Sequence, residues 1–319
     1  MVRPFKKDVN FLRFRRVFFT VSVILILISV TAFFVRGLNF GIEFVGGTSI
    51  DFKDTGDIAI DDMRAAFDKQ NVEGAVIQTT VDPRTGTNGF IVRIPTTNAQ
   101  EASANADAIA EALGIDSTMV EVTTIGPGWG AEVTRTSLIA FIVAMVLIII
   151  YIAIRFEYKM GLVAVLTLFH DLIVIIGVYA VFGREVTPNV IAALLTIMGY
   201  SLYDTVVVFH RINDNLANTA RHSFMTVANH SVNQVLMRTI NTTLSTLVPV
   251  VAMLFFGGET LKDFAFAMAI GLVLGSYSSI GLASPIYAIW KQREPKYKKL
   301  AKKYGEGLDE FTIAEQLGE

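Results

Sequence analysis

The stretch Gly199-Tyr200-Ser201-Leu202-Tyr203-Asp204-Thr205-Val206-Val207-Val208-Phe209-His210-Arg211 closes an apolar run that begins near Asn189. The run is about 21 residues long, enough for a helix to cross a bilayer. A carboxylate, Asp204, sits inside it. An ionised Asp at the centre of a membrane helix costs roughly 2.5–3.5 kcal/mol even on lenient insertion scales, so Asp204 must face protein or water. Two readings follow: an acid that binds and releases a proton, or a carboxylate paired permanently to hold helices together. Intramembrane acids mark ion paths, which favours the first.

Working outward, the composition agrees with a membrane protein. Of 319 residues 52% are hydrophobic and 18% charged, and the mean hydropathy is +0.51. A soluble domain of this length carries more charge. The net charge of −2 says nothing about nucleic acid, because the opposite charges are segregated along the chain, and no nucleic-acid partner is expected. With no cysteine, disulfides, thiolate metal sites and thiol catalysis are excluded.

Residues 1–16 are basic through Arg3, Lys6, Lys7, Arg13, Arg15 and Arg16, and 17–35 are uninterrupted apolar sequence. We read these as a basic N-terminus and a retained first transmembrane helix, since no small-residue cleavage site follows. Residues 37–134 are polar and long enough for a small domain. They open with Gly37-Leu38-Asn39-Phe40-Gly41-Ile42-Glu43-Phe44-Val45-Gly46-Gly47-Thr48, where no Lys-Ser/Thr follows the glycines, so tight backbone packing beside the membrane is expected rather than a nucleotide loop. Strands are expected at 49–53, 74–81, 89–94 and 118–125, with helices at 57–70 and 98–113 and a turn at Asp82-Pro83-Arg84-Thr85-Gly86. Strand-helix-strand-strand-helix-strand is the ferredoxin-like α+β order.

This domain holds about fifteen Asp and Glu against five basic residues, Lys53, Arg64, Lys69, Arg84 and Arg93. It is therefore placed outside the cytoplasm. Gly126-Pro127-Gly128-Trp129-Gly130 returns the chain to the membrane, with Trp129 suited to the interface. Five further apolar segments, at 136–154, 161–182, 189–209, 240–256 and 264–290, make six spans in all. The connections carrying Lys and Arg, 155–159 and 211–238, and the basic tail 291–319 fall on one side, so both termini are expected in the cytoplasm.

Tyr200, Asp204, Val207 and Arg211 share a helix face, with Tyr203 and Ser201 near as hydroxyl partners of the acid. Arg238, in Met237-Arg238-Thr239-Ile240-Asn241-Thr242-Thr243-Leu244-Ser245-Thr246, is the expected partner of Asp204; the alternative is a side chain that snorkels to the headgroups. An adjacent arginine favours the charged carboxylate and desolvation the neutral acid, a balance that a proton gradient can tip. His170 and Asp171 lie mid-span and, pointing about 100° apart, are expected to serve different neighbours, as relay or as packing residues. His210, His222 and His230 show no metal spacing, and solvated roles are expected for the last two. Gly271, Gly275, Ser276, Ser278, Ser279 and Gly281 read as a helix-packing stripe.

Taken together, the glycine stretch 37–48, Arg155-Phe156-Glu157, His170-Asp171, 199–208, Arg238-Thr239, Phe256-Gly257-Gly258 and Gly275-Ser276-Tyr277-Ser278-Ser279-Ile280 resemble the SecD/SecF family of bacterial protein-export membrane subunits, and more distantly the RND superfamily of proton-driven transporters. The resemblance covers nearly the whole chain. It implies a six-helix, RND-like half in a bacterial cell (inner or plasma) membrane that pairs with the similar half of SecD, associates with the SecYEG channel, YajC and YidC, and uses the proton motive force to draw out unfolded preprotein after SecA has pushed it in. It implies Asp204 and Arg238 as the proton-coupling pair, with Tyr200, Tyr203, His170 and Asp171 as further candidates and Gly271 and Gly275 as packing positions. One departure stands out: where the family commonly has Phe-Asp-Arg-Ile-Arg-Glu, this chain reads Phe209-His210-Arg211-Ile212-Asn213-Asp214.

No nucleophile constellation, metal cluster or phosphate loop is present in the sequence, so neither an enzyme nor a bound cofactor or metal is expected. Two rivals remain. A small-molecule or lipid exporter of the RND kind shares the intramembrane acid but has two six-helix halves and larger external domains, and a structural assembly subunit would leave Asp204 without a task.

Overall fold

The computed structural model describes residues 9–72, 74–81, 85–218, 222–257 and 259–305. Six helical stretches are long and apolar enough to cross a membrane: Phe11–Arg36, Gly128–Arg155, Tyr158–Phe182, Pro188–Leu216, Phe224–Phe256 and Leu261–Gln292. They are built from α1 (Arg15–Arg36), α5 (Pro127–Arg155), α6 (Tyr158–Phe182), α7 (Pro188–Asn218), α8 (Phe224–Phe256) and the pair α9 (Glu259–Ser278) and α10 (Ser284–Gln292), which a π-helical turn at Ser279–Ala283 joins. Between α1 and α5 lie β1 (Asn39–Phe40), α2 (Ile42–Val45), β2 (Gly47–Phe52), α3 (Ile60–Lys69), β3 (Val76–Val81), β4 (Asn88–Ile94), α4 (Ala99–Leu113) and β5 (Val120–Ile125). A short strand, β6 (Glu185–Val186), follows α6, and α11 (Pro295–Tyr304) follows α10.

The spans differ in exposure. Those of α6 and of the α9–α10 stretch are 61% buried, whereas those of α1, α5 and α8 are 11% buried. For α1 and α5 this follows from sequence, because their Val, Ile, Leu and Phe need no protein partner in a bilayer. Helix α8 is different: it leaves Arg238, Asn241 and Ser245 exposed, side chains that hydrocarbon does not accommodate.

Several boundaries move from their expected places. Arg15 and Arg16 already belong to α1, and the stretch before it is tied down: Val9 N–H donates to Asn233 Oδ1 at 2.8 Å and Leu12 N–H to Asn229 Oδ1 at 3.2 Å. Residues 1–8 of the expected basic N-terminus, 306–319 of the expected tail, residues 82–84 of the expected turn and Gly258 lie outside the described residues. The largest shift concerns 211–238, read as a connection. There α7 continues to Asn218 and α8 starts at Phe224, 16 residues before the expected span at 240. Residues Phe224 to Asn233 are buried against the end of the bundle. Polar side chains such as Asn229 and Ser231 broke the apolar pattern, yet tertiary hydrogen bonds from Leu12 N–H and Asn215 Nδ2 satisfy them. His230, expected in solvent, is 3% exposed and meets Gln234 Nε2 through its Nε2 at 2.8 Å. Burial pulls the His222 imidazole below its usual pKa, and the nearby His230 adds to that.

In the inserted domain the four longer strands form one antiparallel sheet in the order β3-β4-β2-β5. Alternation sends Ile50, Phe52, Phe90, Val92 and Ile94 to one face, where α3 and α4 cover them with Met63, Phe67, Ala106 and Ile109. Helix α4 starts where Asn98 Oδ1 accepts from the Gln100 and Glu101 amides and stops at the left-handed Gly114. The glycine stretch does pack tightly: Gly47 has φ +126°, and a Cβ there would stand 2.8 Å from the Ile94 carbonyl oxygen.

The sheet's other face looks onto the ends of the membrane helices across a cleft of about 840 Å³ lined by Asp51, Arg93, Glu121, Thr187, Lys262 and others. Among the contacts of the described residues that hold the domain there, two stand out. Strand β1 pairs in parallel with β6, and Arg93 of β4 forms an ion pair with Glu185, their side chains only 14% and 10% exposed. Burial pulls the Arg93 guanidinium below its usual pKa, while the charges of Glu43 and Asp263 oppose it. Removing one member of so buried a pair costs about 3 kcal/mol or more, because the other charge stays desolvated. Arg93→Gln is therefore expected to leave the helices intact but loosen the domain, seen as faster hydrogen exchange at Glu185 and Val186; unchanged exchange there would show the strand pairing alone to suffice.

Helices α1 and α6 meet at Gly177, where a Cβ would fall 2.0 Å from Ser29 Cβ. A clash with backbone-proximal atoms cannot be relieved by a rotamer change. Gly177→Val is expected to push α1 off the bundle, costing about 1–3 kcal/mol or more, measurable as a lowered melting temperature in detergent; a melting curve unmoved by the substitution would refute this packing.

Candidate functional site: two intramembrane carboxylates

Asp204 sits half-buried on α7 beside a cavity of about 160 Å³ between α7, α8 and α9. Tyr200, Tyr203, Thr242, Thr243, Ser245, Thr246, Gly271 and Ser276 are among its lining residues. Thr243 Oγ1 and Ser276 Oγ are hydrogen-bonded at 2.5 Å, and Ser276 is within hydrogen-bonding reach of the Asp204 carboxylate. A pocket of hydroxyls around one acid offers several water positions without a competing charge.

Arg238 lies close enough for its charge to act on Asp204. Its guanidinium, however, donates to the Tyr203 hydroxyl and lies 5.5 Å from that ring's centroid, and among the described ion pairs there is none between Arg238 and Asp204. The sequence led us to expect Tyr203 and Ser201 as partners of Asp204. Instead Tyr203 serves Arg238, and Ser201 donates to Asp171 Oδ2 at 2.6 Å. The reason is rotational: Ser201 stands on the side of α7 that meets α6, about 60° from Asp204. Arg211, on the expected stripe, is taken by Gln234 of α8 at 2.6 Å.

Asp171 is fully buried at the centre of the bundle. Its Oδ2 accepts from Ser201 on α7 and, at 2.7 Å, from Ser278 on α9, while its Oδ1 meets His170 Nδ1 at 2.9 Å. His170 and Asp171 thus touch each other, contrary to the expectation that they serve different neighbours. Adjacent side chains diverge at Cβ, but the long imidazole folds back across that angle. Ser279, next along, bonds Thr205 Oγ1 at 3.0 Å and the Gly275 carbonyl at 2.8 Å, and the π-helical turn begins at this residue. Such turns are frequent where a helix is adapted to a functional site.

Sequence reasoning read the α9 serines as packing only. Ser276 and Ser278 face the two carboxylates instead, and the spacing of two residues that sends them to different sides was the available signal. The glycines of the same stripe lie against α7: a Cβ at Gly271 would stand 2.4 Å from Ile197 Cδ1 and one at Gly275 3.1 Å from Ser201 Cβ. Tyr200 lines the Asp204 cavity and is 44% exposed. His210 is exposed, its ring 5.8 Å from that of Phe156.

Six spans, a small α+β domain inserted after the first and two acids on buried faces define a polytopic helical membrane protein organised around a polar interior. The family model for the protein export membrane protein SecD/SecF, C-terminal, matches residues 105–293, and that for the SecD/SecF GG motif matches 31–53. The protein translocase subunit SecF of Streptomyces coelicolor is 32% identical over 302 residues, 92% of this chain and 80% of that one. That of Thermodesulfovibrio yellowstonii is 36% identical over 287 residues, 88% and 94% of the two chains. The chain belongs to the SecF branch of the SecD/SecF family of protein translocase subunits.

The crystal structure of SecDF, a translocon-associated membrane protein from Thermus thermophilus, superposes with a TM-score of 0.81 at 31% identity, over 90% of this chain and 39% of that one. A second SecDF structure, in a super-membrane-facing form, gives 0.66 at the same identity, over 93% of this chain and 40% of that one. This chain therefore spans about two-fifths of the fused SecDF protein.

Proposed function

We propose that this chain is the proton-coupled half of an export motor: paired with SecD beside the SecYEG channel, it uses the proton motive force to help draw SecA-delivered, unfolded preprotein across a bacterial cell membrane. The observation that carries this reading is the Asp204 cavity, a hydroxyl-lined pocket around a membrane carboxylate with an arginine held at its rim by Tyr203. Protonation of Asp204 removes the charge that Arg238 senses, α7 and α8 shift against each other, and the inserted domain moves with the helix ends to which Arg93 and β1 bind it. That SecDF structures of equal identity superpose on this chain unequally supports movement of this kind in the family.

Tyr200, Tyr203, Arg238, Asn241 and Ser245 form an exposed, largely polar seam along α7 and α8. A lipid face does not carry these groups, and we assign the seam to the SecD half, which is joined to the SecF half in the Thermus thermophilus relative. YajC and YidC are further associates in this reading. The divisions 1–16, 17–35, 37–134, 136–290 and 291–319, with termini in the cytoplasm, describe its layout, and the inserted domain is read as ferredoxin-like on its element order and strand order. We assign the chain no catalysis of its own.

An RND-type small-molecule exporter is disfavoured because relatives 32% and 36% identical over most of the chain are protein translocase subunits. The test is export of a model preprotein into vesicles holding this chain, SecD and the SecYEG channel, with and without an imposed proton gradient. The gradient is expected to speed release; equal rates in its presence and absence would end the reading.

A further inference from the structure

At the end of the bundle where both described termini lie, a pocket of about 450 Å³ opens between the first turn of α1, the start of α8, the end of α10 and α11. Its walls carry Arg15, Arg293, Lys298 and Lys302, and Met225, Ile289 and Ala301 give it an apolar floor. Among the described residues no carboxylate lines it. The nearby acids are already engaged: Glu294 pairs with Lys159 at 2.8 Å and Lys291 at 3.1 Å, and Glu157 pairs with Lys291. Arg293, Lys298 and Lys302 make no ion pair among the described residues.

Lys298 and Lys302 are four residues apart on α11 and so present their charges along one helix face. Like charges at that spacing disfavour the helix unless an anion lies between them. The helix is held in place by Tyr297, whose ring packs edge-on against Phe224 at 4.9 Å. Beside the pocket Phe14, just before α1, and Val17 in its first turn are exposed, 52% and 57% accessible, in the run that enters the membrane.

We propose that this pocket holds the headgroup of an anionic phospholipid from the adjoining leaflet, its phosphate between Arg293, Lys298 and Lys302 and its acyl chains along the exposed face of α1. Cation clusters between membrane helices at the polar boundary bind such headgroups. The apolar floor and the adjoining apolar helix favour a lipid over free phosphate, which would gain nothing from either.

The test uses the full chain in neutral detergent, titrated with phosphatidylglycerol or phosphatidylcholine and read by native mass spectrometry. Phosphatidylglycerol is expected to be retained more tightly, and K298Q with K302Q is expected to weaken its retention by roughly 30-fold. Both lysines are exposed, so the variant should melt like the parent. Equal retention of the two lipids, or a preference that survives the double substitution, would overturn the proposal. So would complete displacement of the lipid by millimolar inorganic phosphate, which marks a plain anion site. Residues 306–319 carry Glu306, Asp309, Glu310, Glu315 and Glu319; a lipid preference appearing only after their deletion would assign the pocket to that acidic segment and likewise refute the proposal.

Discussion

Asp204→Asn is expected to abolish the gain in export that a proton gradient gives while leaving basal, SecA-driven export and membrane insertion unchanged. Asparagine keeps the volume of the side chain and removes its charge together with the ability to gain and lose a proton. About 2.3 kcal/mol is available per elementary charge per 100 mV, enough to bias a two-state rearrangement roughly 50-fold, so the loss should be measurable. Arg238→Met is expected to have the same outcome by a different route. It keeps the length and apolar stem of the side chain, removes the charge acting on Asp204 and leaves the Tyr203 hydroxyl without its donor. Tyr203→Phe separates the two effects: if Tyr203 only holds the arginine at the rim of the cavity, the gradient response should weaken without vanishing. A full gradient response in both Asp204→Asn and Arg238→Met would make the Asp204 carboxylate a structural group and return the choice to an assembly subunit.

The second large effect belongs to Asp171. Its carboxylate is the common acceptor for Ser201, Ser278 and His170 and therefore joins α6, α7 and α9 at the centre of the bundle. Interhelical hydrogen bonds in membranes contribute about 0.6 kcal/mol on average and 1.7 at most, so losing the two from Ser201 and Ser278 costs about 1–3 kcal/mol. Asp171→Ala is expected to lower the melting temperature in detergent by that measure, whereas Asp204→Ala, whose side chain borders a cavity and makes fewer bonds, should lower it much less. Asp171→Asn sharpens the comparison. It retains one acceptor oxygen, so stability is expected to fall only in part and the gradient response to persist. Preserved stability together with a lost gradient response would instead put Asp171 on the proton path, and a stable Asp171→Ala would show that the serines find other partners.

These two acids were visible in the sequence, because a carboxylate inside an apolar run of about 20 residues is expensive wherever it occurs. What each one does was not. Asp204 and Asp171 are both single acids in mid-span, yet one borders a cavity near an exposed seam and the other is enclosed. That difference comes from the rotation of α7 and α9 about their axes, which places Ser201 and Ser278 toward α6 and Tyr203 toward α8. Rotation of this kind is set by packing at positions such as Gly271 against Ile197, and no periodicity along one helix encodes it.

By itself, then, the sequence determined the six spans, the strand and helix order of the inserted domain, the start and stop of α4, and the candidate acids. Each of these rests on local physics: run length, alternation, capping side chains and the cost of a charge in hydrocarbon. Only the tertiary structure decided that Arg238 bonds Tyr203 rather than Asp204, that His170 folds onto Asp171, that the polar stretch 224–233 is buried helix, and that Arg93 clamps the inserted domain to Glu185. All four depend on partners between 1 and 224 residues away whose approach is fixed by three-dimensional packing. In all but the His170 contact, a polar group is satisfied by a neighbour that the chain brings near only once the bundle has closed.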